Sequence, residues 1–195
     1  IMKTSIKTLI ATSLIALTLS TSLVYANSDL KSNAVAASAV NISSVKKLNI
    51  SGNAEVTIVQ NSKSKVLFTN DGTERVSVKK VGDVVYITSK TNAKITIYVD
   101  EIYRIEAAEN AVVTTENPLT LKYLQVFTKD HAYVNINAKT ESLYTSIKDD
   151  STLNLKGDTD LYTIDMDKSS RISLQQFKSK KTDMSASDVY VASRR

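Results

Sequence analysis

The sequence predicts an all-β chain wound as a parallel β-helix, a solenoid of rungs about twenty residues long, with a small antiparallel meander near its N-terminal end. Three observations carry this. First, residues 102–191 read as five near-repeats, 103–115, 123–136, 143–155, 161–174 and 180–191. Each is an alternating stretch, a small polar corner and a second alternating stretch. The apolar residues just past the corners are Val113, Val134, Leu153, Ile172 and Val189, spaced 21, 19, 19 and 17 residues apart. Repeats of this period built from strand-like halves cannot bury their own apolar residues and must stack. Second, all four glycines (Gly52, Gly72, Gly82 and Gly157) fall at expected corners. Third, there is almost no helical periodicity, and no repeat has room for the crossover helix that a parallel sheet otherwise needs. An antiparallel sandwich of short strands has similar spacing and is the competing architecture. The matched register of the apolar positions favours the stack.

Taken from the N-terminus, Lys3 and Lys7 precede an apolar run, Leu9 to Val24, that ends in Val24-Tyr25-Ala26. This pattern reads as a secretory signal peptide (residues 1–26) cleaved after Ala26. An uncleaved membrane anchor is the alternative, which the run's short length and Thr/Ser content disfavour. Residues 27–44 are small, polar and aperiodic and read as a flexible leader, with a weak helical tendency over Ala34 to Val40. Residues 45–195 form the single predicted domain. Leu48, Ile50, Val56 and Ile58 alternate around the corner Gly52-Asn53-Ala54 and suggest a first rung. A meander follows. Asn70-Asp71-Gly72 and Gly82-Asp83 read as two hairpin turns joining three antiparallel strands, the second turn of type II′ with glycine first. Ile95, Ile97 and Val99 bring the chain back to the rungs.

In the repeats, Ile105, Val126 and Ile164 form a second apolar file beside the first, with Thr145 as its weaker member. The polar residues between, Glu106, Gln125, Ser146 and Asp165, point outward because strand side chains alternate. Rungs stack at about 4.8 Å. The single proline, Pro118, lies in a loop, where the N–H it lacks is not needed. The fifth repeat matches least well and reads as a cap.

Formal charge is +5 over 195 residues and falls to +3 without the first 26, which carry Lys3 and Lys7 and no acids. The charges alternate in sign, so no concentrated basic face for nucleic acid is expected. There is no cysteine, hence no disulfide, no lipobox and no thiolate metal site. After the signal, no apolar stretch is long enough to span a bilayer.

From about residue 45 onward the chain resembles the autotransporter adhesin head GIN domain family. The resemblance covers about 150 residues and rests on Ser51-Gly52-Asn53-Ala54-Glu55-Val56, Asp71-Gly72, Gly82-Asp83-Val84-Val85-Tyr86-Ile87, Ile95-Thr96-Ile97-Tyr98-Val99 and Ile105-Glu106-Ala107-Ala108-Glu109-Asn110-Ala111. It implies a right-handed β-helix, export in a bacterium and an adhesive role. Where the family repeats Ser-Gly-Ser-Gly corners, this chain has Glu109-Asn110-Ala111, Asp130-His131-Ala132, Asp149-Asp150-Ser151 and Lys168-Ser169-Ser170.

No catalytic, cofactor or metal residue is assigned from the sequence. Asp158, Asp160, Asp165 and Asp167, with Asp149 and Asp150 one rung earlier, are the one acidic array. It could hold a hard cation or do paired-carboxylate chemistry on a polysaccharide. Interspersed Lys148, Lys156 and Lys168 favour a solvated face instead. His131 stands alone, without partners for a zinc site or a nucleophile elbow, and reads as a turn residue that tolerates left-handed backbone angles. Tyr133 and Tyr190, each one place from a core position, should face outward where they could stack on a sugar or a protein. The expected function is an exported, non-enzymatic binding or adhesion module of the cell envelope, located in the periplasm, on the surface or outside the cell. Its partner would be a glycan or a protein. The alternatives are an envelope assembly protein that self-associates through its solenoid ends and, last, a carbohydrate-active enzyme using the four aspartates.

Overall fold

The computed structural model describes residues 36–70 and 75–184. They are all β, with no helix among them. In chain order the strands are β1 (Ala36–Asn41), β2 (Lys47–Gln60), β3 (Lys65–Asn70), β4 (Val76–Val81), β5 (Val84–Val99), β6 (Arg104–Ala107), β7 (Val112–Thr115), β8 (Leu119–Thr128), β9 (Tyr133–Ile147), β10 (Thr152–Met166) and β11 (Arg171–Met184). They belong to one hydrogen-bonded network ordered β1-β3-β5-β2-β6-β8-β9-β10-β11, with β4 paired to β5 and β7 bridging β2 and β9.

From β5 to β11 every pairing along that order is parallel. Both predicted apolar files are present. Val113 is the register partner of Val134, Val134 of Leu153, and Leu153 of Ile172. Ile105, Val126, Thr145 and Ile164 line up the same way. The first file extends backward through Val56 and Ile95, and the second through Leu48 and Val85. From Ile105 to Leu153 every member of both files is fully buried. Burying such a side chain contributes about 1.5–3 kcal/mol.

Each repeat carries a third straight segment that alternation within the five sequence lines did not expose. The first segment of successive repeats comprises 104–107, 125–128, 144–147 and 163–166. The second comprises 112–115, 133–136, 152–155 and 171–174, and the third 119–124, 138–143 and 157–162. Leu124, Leu143 and Tyr162 stack as its apolar file. Because β8, β9 and β10 run through the junction between third and first segments without a break, those two segments read as one long strand.

Four departures from the sequence reading have physical causes. The stretch read as leader contributes β1, an antiparallel strand whose backbone pairs residue by residue with β3. Its small residues lack helical periodicity and are free to take the open edge. The meander is not three consecutive hairpin-linked strands. The Asp71-Gly72 turn lies outside the described residues, and β3 and β4 do not pair with each other. Each pairs antiparallel with one half of the long β5. The Gly82-Asp83 turn does join β4 to β5, with Val81 opposite Val84 and Gly82 at φ +60°. Third, β5 lies on the far side of β2 from β6, so the chain passes β2 to resume the stack. Sequence order alone does not report this. Fourth, His131 is not the left-handed corner residue; Asp130 is, at φ +61°. The signal peptide, Tyr190, Val189 and the last corner lie outside the described residues.

The two ends of the stack differ. The outer edge of β5 is covered by β3 and β4, whereas β11 has no partner on its outer side among the described residues. Ile172, Leu174 and Phe177 are only partly buried there, and Met184 is 56% exposed.

Buried polar groups are paired. Thr145 Oγ1 and the Tyr162 hydroxyl lie 2.9 Å apart, and Tyr162 packs edge-on against Phe177 with ring centroids 5.1 Å apart. Burial pushes the Tyr162 hydroxyl's pKa up, against a smaller opposing effect of the Thr145 hydrogen bond. We expect Thr145→Val to destabilise the fold by about 1–3 kcal/mol, since it leaves a buried hydroxyl unpaired. Adding Tyr162→Phe should recover much of that loss, and chemical denaturation of the two variants checks it.

Candidate functional site

The corners between first and second segments are short turns held by an i to i+3 backbone hydrogen bond: Ala111 N–H to Ala108 O, Ala132 N–H to Lys129 O and Ser151 N–H to Lys148 O. Glu109, Asp130, Asp149 and Asp150 take left-handed angles in them, a conformation that Asp tolerates better than most residues. Side chains then tie one corner to the next. Asp130 Oδ2 accepts from Glu109 N–H at 3.2 Å, and Asp167 Oδ2 accepts from Asp149 N–H at 2.7 Å. Asp167 Oδ1 also accepts from Ser169 Oγ, Ser170 N–H and Ser170 Oγ.

Partial burial would raise the Asp167 pKa. The hydrogen bonds from Ser170, Asp149 and Ser169 outweigh it and hold the carboxyl down at about 2. Asp167 is therefore a corner clamp. Its contribution to stability is complete above the ordinary value of 3.8 and is lost as pH falls from there through about 2. Asp167→Ala should remove about 1–3 kcal/mol at neutral pH, as hydrogen bonds to a charged acceptor do. It should also flatten the acid limb of a thermal-stability profile. By contrast Asp165→Asn should cost about 1 kcal/mol or less.

The acidic array is thus divided. Asp165 pairs with Lys148 at 2.8 Å on the first segment's outer face. Asp160 pairs with Lys180 at 2.7 Å on the third, where the carboxylate raises the Lys180 pKa by hydrogen bond and charge. Asp158 lies in register between Lys139 and Lys178. Asp158 and Asp160 thus share one outer face, flanked by lysines of the neighbouring rungs, while Asp165 lies on another segment and Asp167 faces its own corner. No group of three His, Cys, Asp or Glu side chains that could hold a metal occurs among the described residues. His131 is exposed and is tied in through its backbone N–H, which donates to Glu109 O at 2.9 Å.

Two grooves run along the outer faces. On the first segment, the Arg104 guanidinium stacks over Phe127 at 4.6 Å and donates to Gln125 Oε1 at 2.9 Å and Glu106 Oε1 at 3.2 Å. Asn49 Nδ2 donates to Glu106 Oε2 at 2.9 Å, and Tyr144 lies against Phe127. Glu106 and Gln125 do lie on this outer face, although Ser146 is nearly buried. The cavity of about 270 Å³ there is walled by Ile50, Ala107, Ala108 and Phe127 together with Asn49, Glu106, Ser146 and Lys148, whose side chains already have hydrogen-bond partners.

On the second segment, Tyr133, Asn135, Asn154, Lys156, Ser173 and Gln176 line a groove of about 350 Å³. Tyr133 is 42% exposed, and Asn154 Nδ2 donates to its hydroxyl at 2.7 Å. Asn135, Asn154 and Ser173 are register partners on consecutive rungs. Tyr133 faces outward as its sequence position requires. Its amide neighbours were missed, although the 19-residue interval between Asn135 and Asn154 equals the repeat and would have revealed them.

Residues 44–192 match the family described as "Putative auto-transporter adhesin, head GIN domain". No curated protein matches the chain. Among solved structures, a putative adhesin from Bacteroides fragilis NCTC 9343 aligns with TM-score 0.65 at 12% identity, over 80% of this chain and 77% of that one. A putative adhesin from Parabacteroides distasonis ATCC 8503 aligns with TM-score 0.61 at 12% identity, over 78% of each chain. A putative lipid binding protein from the same organism aligns with TM-score 0.58 at 10% identity, over 77% of this chain and 78% of that one. These identities speak to the fold alone.

Proposed function

Because the chain belongs to the auto-transporter adhesin head GIN domain family, we propose that it is an exported, non-enzymatic binding or adhesion module of the bacterial cell envelope. The observation that carries this is the state of its outer faces: Asp160 and Asp165 are paired with lysines, Asp158 lies between two lysines in register and Asp167 is locked into a corner, while a tyrosine-bearing groove is open. On this reading the parallel stack closes as a right-handed β-helix forming one domain over residues 45–195. The near-constant interval of 19 to 21 residues between partners supports this, as does the right-handed preference of parallel connections. Export rests on the Lys3, Lys7 and Val24-Tyr25-Ala26 pattern, with cleavage after Ala26. N-terminal sequencing of the protein from fractionated cells tests it.

The functional test sets purified protein against immobilised polysaccharides and host-surface proteins while the supernatant is monitored for released reducing ends. Retention without turnover is the expected result. Turnover abolished by Asp165→Asn or Asp160→Asn would replace this reading with the enzymatic one.

A second reading, assembly through the solenoid end, draws on the β11 edge at Ile172 and Leu174, which has no outer partner among the described residues. Lys178, Lys180 and Lys181 guard the rest of that strand against edge pairing. Sedimentation across a concentration series separates the two readings.

A further inference from the structure

We propose that the second-segment groove is a subsite for an extended, uncharged glycan. This rests on the binding-module reading above and names its ligand class. Four observations converge on the groove. Its walls present amides and hydroxyls, with Lys156 as the only charged side chain lining it among the described residues. Asn135, Ser173 and Gln176 make no side-chain hydrogen bond among the described residues, so their donors and acceptors are available together. A planar aromatic face, Tyr133, stands at its edge with its orientation set by Asn154. Lastly, a β-bulge sits in its floor. Register runs from Asn154 opposite Ser173 to Lys156 opposite Gln176, so β11 carries one residue more than β10 there, and Gln175 joins the lining. Bulges of this kind re-aim side chains and concentrate beside functional sites.

The chemistry fits a sugar chain. Side-chain amides can donate to one hydroxyl and accept from the next. An exposed tyrosine offers an apolar ring to the C–H face of a pyranose while its hydroxyl stays hydrogen-bonded. Asn135, Asn154 and Ser173 recur at the rung spacing of about 4.8 Å, close to the advance of one sugar unit along an extended glycan. The volume of about 350 Å³ lies within the range of about 300–1,000 Å³ usual for small-ligand sites. A groove for an acidic glycan would instead present arginine or lysine on each rung, and only one rung here supplies such a group to the lining.

The test is calorimetric titration of the full chain with linear gluco-, manno- and xylo-configured hexasaccharides, and with hexagalacturonate as the charged comparison. The expected result is saturable binding of a neutral hexasaccharide. Tyr133→Ala should weaken it at least tenfold and Asn154→Ala several-fold, with wild-type melting in both. Tyr133→Phe should retain more affinity than Tyr133→Ala. Binding that is unchanged in Tyr133→Ala overturns this subsite and leaves the binding-module reading in place. Binding of hexagalacturonate alone overturns the uncharged ligand class, and the absence of any saccharide binding overturns the proposal outright. Cleavage of a hexasaccharide would sink the binding-module reading itself.

Discussion

Val134→Asp is expected to abolish cooperative folding or to lower stability by about 4 kcal/mol or more. Val134 is 0% exposed and sits in the middle of a file, between Val113 on one rung and Leu153 on the next. A carboxylate there would lose its hydration with no cation or donor within the file to replace it. Such a group either unfolds the site or takes up a proton at the cost of a raised pKa. Alternation supplies the control. Tyr133→Asp, one residue away but 42% exposed, should change stability by about 0.5 kcal/mol or less. Guanidinium denaturation of the two variants tests which face each residue occupies, and equal effects would place the register wrongly.

Gly157→Ala should cost about 3 kcal/mol or more. Gly157 lies where the second segment turns into the third, at φ +97°, outside the region that side chains tolerate. A Cβ built there would fall 2.1 Å from the carbonyl oxygen of Ala138, its register partner one rung below. That oxygen belongs to a hydrogen-bonded strand and cannot swing aside as a side-chain tip would. Gly82 provides the comparison. It has φ +60° with open space around it, so Gly82→Ala carries the left-handed backbone cost alone, about 1–2 kcal/mol. The difference between the two melting shifts combines the close rung stacking at Gly157 with its more extreme backbone angle.

Apolar positions were the legible part of this fold. Val113, Val134, Leu153 and Ile172 recur at the repeat length, because the same point on each rung must be filled with an apolar side chain of similar size. Thr145 looked like a weak member of its file, and its hydroxyl is in fact satisfied by Tyr162 from the next rung, a partner that strand alternation cannot show. The third segment escaped notice because no corner separates it from the first segment of the following repeat. The placement of β5 beyond β2 was illegible for another reason. Parallel partners 37 to 39 residues apart, such as Leu48 with Val85 and Val56 with Ile95, carry no local sign of their order. In the candidate site, outward exposure of Tyr133 followed from its place beside Val134. The separation of Asp158 and Asp160 from Asp165 and Asp167 depended on which segment each lies on, and that needed the third segment to be known.

The groove and the corners both depend on parallel, in-register stacking of the repeats, and the chain has no native cysteine to complicate the most direct test of that stacking. Two cysteine pairs on the outer face, Tyr133→Cys with Thr152→Cys and Asn135→Cys with Asn154→Cys, join partners at the same 19-residue offset. Neighbouring strands lie about 4.8 Å apart, within disulfide reach, which ends near 7 Å between Cα atoms. Mild oxidation should close both pairs within one chain, as read by mass spectrometry of the digested protein. The crossed pairs, 133 with 154 and 135 with 152, should stay reduced. Closure of the crossed pairs in preference to the parallel ones would mean an antiparallel arrangement and would contradict the stack on which the groove, the corners and the proposed ligand all depend.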